Sequence, residues 1–171
     1  MCLYTICTYN KLVKMRIQVD EAFSTMDVYL KKRYDLIPNI VATVKGYAKH
    51  EKETLEAVIS ARNLAMTSTD PNQKIQANNQ LSSTLKSLFA LSESYPELQA
   101  NANFLSLQND LKAIEVEIAN SRKYYNAVVR DYNTKRQSFP SNIIAKWFKF
   151  EKRELYEIDD VKERKNVKVE F

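Results

Sequence analysis

One glycine in 171 residues, Gly46, is the first fact about this chain, and four prolines are the second. Ordinary usage is about 7% glycine and 5% proline. Glycine supplies the positive-φ positions of tight hairpins, phosphate-binding loops and nucleophile elbows. A dinucleotide fingerprint, a P-loop and a G-x-S-x-G turn are therefore excluded. The single histidine, His50, rules out an H-E-x-x-H zinc site and the paired Glu-x-x-His motifs of di-iron bundles. Two cysteines, Cys2 and Cys7, match no zinc or redox spacing and imply no disulfide framework. No N-x-S/T sequon occurs, and no apolar run approaches the ~20 residues of a membrane-spanning helix. What remains is an all-α protein of one domain, long enough to bury a core.

The net charge of +5 is unevenly spread. Residues 1–50 carry eight basic against four acidic side chains, residues 51–100 four against six, and residues 101–171 fourteen against eleven. Basic excess toward both ends suits an anionic membrane surface better than nucleic acid, whose footprint is denser and confined to one face.

Helical periods dominate. Leu12, Met15, Val19, Ala22, Met26, Tyr29, Leu36 and Ile40 recur in steps of three and four, with Arg33 as the one charged member of the stripe. Phe23, Leu30, Ile37 and Val44 widen that face beyond a two-stranded seam, which is bundle patterning. Pro38 lacks an N–H and crowds the carbonyl of Tyr34, so a kink or restart and a change of direction are expected there. A shorter helix follows with Leu55, Val58, Ile59 and Ala65 inward. Asp70-Pro71 with Gln73 is a helix start signal, leading into Leu81, Leu85, Leu88 and Phe89 and a break at Tyr95-Pro96. The cleanest seam is Phe104, Leu107, Leu111, Ile114, Ile118, Ser121, Tyr125, Val128, Tyr132. Phe139-Pro140-Ser141 closes it and opens a short amphipathic helix. The expected architecture is an elongated antiparallel bundle of four principal long helices plus that short C-terminal helix. Phe23, Leu30, Leu85, Leu111, Ile114 and Ile118 should be buried.

Several blocks carry a resemblance. Tyr9-Asn10, Leu12-Val13, Val19-Asp20, Ala22-Phe23 and Asp27-Val28 lead into Leu30-Lys31-Lys32-Arg33-Tyr34-Asp35-Leu36-Ile37-Pro38-Asn39. Val44-Lys45-Gly46-Tyr47-Ala48, His50 through Thr54, Ala61-Arg62, Tyr132-Asn133 and Phe139-Pro140-Ser141-Asn142 continue it. Together they resemble the bacterial LemA family over nearly the whole chain. The resemblance implies an N-terminal membrane anchor ahead of a helical bundle, a cell-membrane location, and no established enzymatic activity or cofactor. It also implies a glycine where this chain has Lys149, so Lys149 should make the C-terminal helix more basic and straighter.

On these grounds residues 1–9 form an apolar stub at the trailing end of an anchor, residues 10–153 the bundle, and residues 154–171 a charged, extended tail ending in Val167, Val169 and Phe171. Lys11, Lys14 and Arg16 next to the stub favour a bundle facing the cytoplasm; the nine residues alone cannot span a bilayer, so the chain as given should be soluble.

No catalytic, cofactor-binding or metal-binding residue is assigned. His50-Glu51, Asp20-Glu21 and Glu53/Glu56 fit solvated helix faces. Arg33, on an apolar seam, must be paired or snorkel, and the carbonyl freed by Pro38 needs a donor. The candidate contact residues are Lys31 and Lys32 in the central block and Ile143, Lys146, Trp147, Lys149 and Lys152 in a basic, aromatic helix from Ile143 to Arg153, suited to a membrane interface or a protein partner. Two functions are in play: a non-enzymatic, membrane-associated helical scaffold or interaction protein, and an enzyme or metal-binding protein with an atypical carboxylate site.

Overall fold

The computed structural model describes residues 2–157. Six helices account for its regular structure and no strand occurs among the described residues: α1 Cys2–Tyr47, α2 Lys52–Thr67, α3 Pro71–Ser92, α4 Pro96–Gln99, α5 Ala102–Gln137 and α6 Ser141–Trp147. The 46 residues of α1 give it a length of about 69 Å.

α1 and α5 run antiparallel along most of their lengths and form the spine. Asn103 donates to Thr43 at one end, and the rings of Phe23 and Tyr125 meet edge-on at 5.7 Å further down. The α2–α3 hairpin folds back over the C-terminal half of α1. It reaches α5 through the Phe89 and Phe104 rings, 6.4 Å apart. Asp70 turns the hairpin by accepting the Gln73 N–H at 3.0 Å, with Pro71 at the first helical position, as the sequence signals. Asn101 caps α5 in the same way through Phe104 N–H.

The hairpin is too short to cover the whole spine. α2 ends at Thr67, alongside the middle of α1, so the lower halves of α1 and α5 lack helical neighbours there. Short α6 and the extended residues 150–157 cover that part instead. Phe150 and Tyr156 are buried and Leu155 packs on the core.

The core is the expected one with local corrections. Leu30, Leu85, Leu111 and Ile118 are buried; Phe23 and Ile114 are half-buried and pack against the rim. On α2 the inward residue is Ala61, and Ile59 faces outward because it lies about 100° round the helix from Val58. On α5, Val129 replaces Val128 as the buried member, the drift a straight helix shows against a strict seven-residue repeat.

α1 does not restart at Pro38. It continues through the proline to Tyr47, and the chain reverses at 48–51 instead. A donor from another helix explains why the interruption is tolerated: Arg62 Nε on α2 donates to Tyr34 O at 2.7 Å, the carbonyl that Pro38 leaves without its helical N–H.

A second correction concerns the C-terminal helix. α6 ends at Trp147 rather than continuing to Arg153. Lys149 adopts φ 54°, Phe150 N–H donates to Ala145 O at 2.9 Å, and Lys149 N–H donates to Lys146 O at 3.3 Å. This is a Schellman termination. Lys149 therefore ends the helix instead of straightening it, in the conformation glycine favours. Gly46, by contrast, sits inside α1 with no positive φ. Val167, Val169 and Phe171 lie outside the described residues.

Candidate functional site

Two constructions stand out, a polar cluster inside the bundle and an apolar, basic end where α6 meets α1.

The cluster is built on Arg33, 1% exposed in the middle of α1. Its Nη1 donates to Glu115 Oε1 at 2.9 Å and to Ser82 Oγ at 3.0 Å; its Nη2 donates to Asn78 Oδ1. The same Asn78 oxygen accepts Tyr34 OH at 2.8 Å, and Asn78 Nδ2 donates to Lys74 O at 2.8 Å. One buried asparagine thus ties α1 to α3, and one guanidinium ties both to α5. Lys74 pairs with Asp27 one level below. Arg33 Nε is buried and has no partner among the described residues. The ion pair is the structural solution for a charge on an apolar stripe: the guanidinium is desolvated, while the Glu115 side chain keeps 39% of its surface exposed. Burial pushes the Tyr34 phenol up to about 12, against the opposing pull of the Asn78 hydrogen bond and the Arg33 charge. Such a phenol is a fixed donor at neutral pH. Three clefts on the described residues, along 150–157 and on the outer side of α1, are lined by none of Arg33, Tyr34, Asn78, Ser82 and Glu115. The acids the sequence singles out are dispersed: His50 is exposed in a turn, Glu51 accepts Tyr95 OH at 3.1 Å, and Asp20 pairs with Arg153 at 2.9 Å. Among the described residues no group of three or more His, Cys, Asp or Glu side chains is placed to hold a metal ion.

The second construction lies where α1 begins. α6 packs across the start of α1 and the end of α5. Its inner face is Ile144 and Ala145, both buried, which cover the end of the spine. Its outer face is Ile143 and Trp147, 58% and 76% exposed, flanked by Phe139 at 81%. The Phe148 ring stacks obliquely on Tyr9 at 4.7 Å and on Trp147 at 5.8 Å. Leu3 and Ile6 are exposed on the first two turns of α1, at the same end of the bundle. Lys146 and Lys149 border it, and Lys11 and Lys14 follow on α1.

All seven candidate contact residues are exposed. The structure brings Ile143, Lys146, Trp147 and Lys149 together at this end. Lys31 and Lys32 lie more than 20 residues further along α1 than Tyr9, about 33 Å away, with Lys32 over the Tyr29 ring at 5.4 Å. Lys152 is on the extended segment and pairs with Glu154 at 3.4 Å.

The bundle and its central Arg33–Tyr34–Pro38 block can now be set beside known proteins. The LemA family matches residues 22–171. This chain belongs to the LemA family. It is 25% identical over 150 residues to Protein LemA of Metamycoplasma hominis, an alignment that covers 87% of this chain and 66% of the relative. The chain thus spans just under two thirds of that relative's length.

Proposed function

We propose that this LemA family protein is a non-enzymatic helical scaffold that rests one end of its bundle on an anionic membrane surface, facing the cytoplasm, and leaves the opposite end free for a protein partner. The observation that supports it is the outward face of α6. If α6 served only to plug the spine, its apolar residues would all turn inward. Ile144 and Ala145 do; Ile143, Trp147 and Phe139 point away from the core with lysines beside them. Aromatic rings at headgroup level with cations toward anionic lipid is the chemistry of an interfacial contact. Leu3 and Ile6 of α1, also exposed, lie at that end of the bundle. No helix among the described residues is long and apolar enough to cross a bilayer, and the contact proposed for these residues is therefore lateral.

Trp147 is the only tryptophan, so it reports on its own surroundings. Vesicles of phosphatidylglycerol should shift its emission to the blue and carry the protein into the pellet. Phosphatidylcholine vesicles should do so weakly, and raised salt should weaken the anionic effect. Lys146→Glu with Lys149→Glu should abolish it. An emission unchanged by anionic vesicles, with the protein left in the supernatant, would refute the reading. Protease digestion of the bundle from outside intact spheroplasts would refute the cytoplasmic orientation.

A further inference from the structure

Residues 150–157 are held in an unusual way for a segment without regular structure. They lie extended in the groove between the lower halves of α1 and α5, and the groove grips their main chain. Asn133 accepts Arg153 N–H at 3.1 Å and donates to Arg153 O at 2.7 Å. Asn126, two helical turns earlier, accepts Tyr156 N–H at 2.7 Å and donates to Tyr156 O at 2.9 Å. Tyr132 OH donates to Glu151 O, Tyr125 OH to Glu154 O, Arg136 Nε to Phe150 O, and Asn79 Nδ2, on α3, to Glu157 O.

The spacing explains why one helix can hold an extended chain so regularly. Seven residues along α5 advance about 10.5 Å. Three extended residues advance about 10 Å. Asn126 and Asn133 therefore meet Tyr156 and Arg153 in step, and Tyr125 and Tyr132 meet Glu154 and Glu151 in step. The two buried side chains are rings six positions apart, and between them Arg153 pairs with Asp20 at 2.9 Å and Leu155 packs on the core. Phe150 is buried beneath the Arg16 guanidinium at 5.4 Å, and Tyr156 is buried beside Arg122 at 5.8 Å. The residues between them are exposed or half-buried. The segment does not fill its surroundings: clefts of about 660 Å³ and 350 Å³ border it along Lys152–Glu154. It is also joined to α6 through Lys149, whose positive φ is a conformation that release of the segment would relax.

We infer that this groove is a peptide-recognition site, occupied in cis by residues 150–157, that accepts an extended segment of a partner protein with two aromatic side chains six positions apart. Affinity comes from main-chain hydrogen bonds to the paired asparagines and tyrosines, as in other modes that read an extended backbone. The rings select. The resident segment is an internal competitor at high effective concentration, so the site opens to partners only as that segment lets go. The inference is independent of the membrane contact at α6.

The probe is a fluorescein-labelled peptide with the sequence of residues 149–157, titrated by anisotropy into the full chain. Tyr156→Ala in the protein weakens the resident segment and leaves the groove intact. That variant should bind the peptide about ten-fold or more tighter than the unmodified protein. Adding Asn126→Ala and Asn133→Ala should abolish binding, and a peptide with both aromatic residues changed to Ala should not bind. Amide exchange of the unmodified protein gives a second measurement that needs no variant. Arg153 and Tyr156 N–H should exchange well ahead of the α5 amides, by local release. Exchange of these amides only with global unfolding would overturn the inference. So would a folded Tyr156→Ala protein that ignores the peptide at millimolar concentration, or equal binding to the asparagine-deleted variant. A concentration-dependent dimer of the unmodified protein, lost with Asn126→Ala and Asn133→Ala, would assign the groove to a second copy and overturn the partner reading.

Discussion

Lys149→Gly should stabilise the protein. Lys149 is the positive-φ residue that ends α6, at φ 54°, with Phe150 N–H returning to Ala145 O and Lys149 N–H to Lys146 O. A side chain with a Cβ pays roughly 1–2 kcal/mol in that region. Glycine removes the cost but brings about 0.5–1 kcal/mol of extra backbone entropy loss on folding. The net gain is about 0.5–1 kcal/mol, or about 1–4 °C in Tm for a domain of this size. Lys149 is exposed, so the loss of its charge needs separating from the backbone effect. Lys149→Ala removes the charge and keeps the Cβ; it should change stability by less than about 0.5 kcal/mol. Lys149→Val, β-branched in a left-handed position, should be clearly destabilising. Urea unfolding followed by far-UV CD, with matched m-values, measures all three. A Gly variant no more stable than the Ala variant would show that the turn does not carry the strain assigned to it. Because Lys149 is the hinge of residues 150–157, Lys149→Gly should also slow exchange of the Arg153 and Tyr156 amides, if the cost it removes is one that the closed segment bears.

Two more perturbations test the core. Arg62→Ala should cost about 1–3 kcal/mol by leaving the Tyr34 carbonyl without a donor, whereas in a Pro38→Ala background, where residue 38 regains an N–H, the cost should shrink by about 1 kcal/mol; a double-mutant cycle with no coupling would sever the link between Pro38 and Arg62. Alkaline pH should destabilise the fold through its phenols: burial holds Tyr34 up to about 12 and raises Tyr125, Tyr132 and Tyr156, so the unfolded chain releases its phenolic protons first. The stability conferred by the neutral Tyr34 ring is complete below about pH 10 and lost as pH rises to about 12. Tyr34→Phe should flatten part of that decline in pH-dependent urea midpoints, and an unchanged slope would contradict it.

The seams of α1 and α5 were legible because burial imposes a helical period on sequence, and Leu12, Met26, Leu30, Leu111 and Ile118 obey it. Errors lay at the rim, where Ile59 and Val128 differ from their neighbours by one position and no long-range contact is encoded locally. Arg33 was legible as a problem, a charge on an apolar stripe. Its solution was not: Asn78 and Glu115 are 45 and 82 positions away, and nothing about either residue in its own helix says that Arg33 is what it meets. Pro38 misled for the same reason. Its local effect is to deprive Tyr34 of a donor, and only the tertiary structure supplies Arg62 in its place. A proline in a helix therefore predicts an orphaned carbonyl more securely than it predicts the end of the helix.

The C-terminal segment shows a different limit. Residues 150–157 have no period of their own, because most of what the groove recognises there is main chain, which every sequence possesses. The information sits instead on the receptor, in Asn126 and Asn133 and in Tyr125 and Tyr132, each pair seven apart. On a helix that interval sets two side chains on one face with a separation close to three extended residues. Asparagine is a poor helix former, and two of them flanking a buried seam of α5 stand against local preference. Residues that local propensity disfavours are where a tertiary or functional demand has prevailed. Asn78, at the centre of the Arg33 cluster, belongs to the same class. Asn78, Asn126 and Asn133, whose amides tie separate parts of this bundle together, lie in helix interiors where propensity alone would not have put them, and each is used by a partner that the hydrophobic pattern does not reveal.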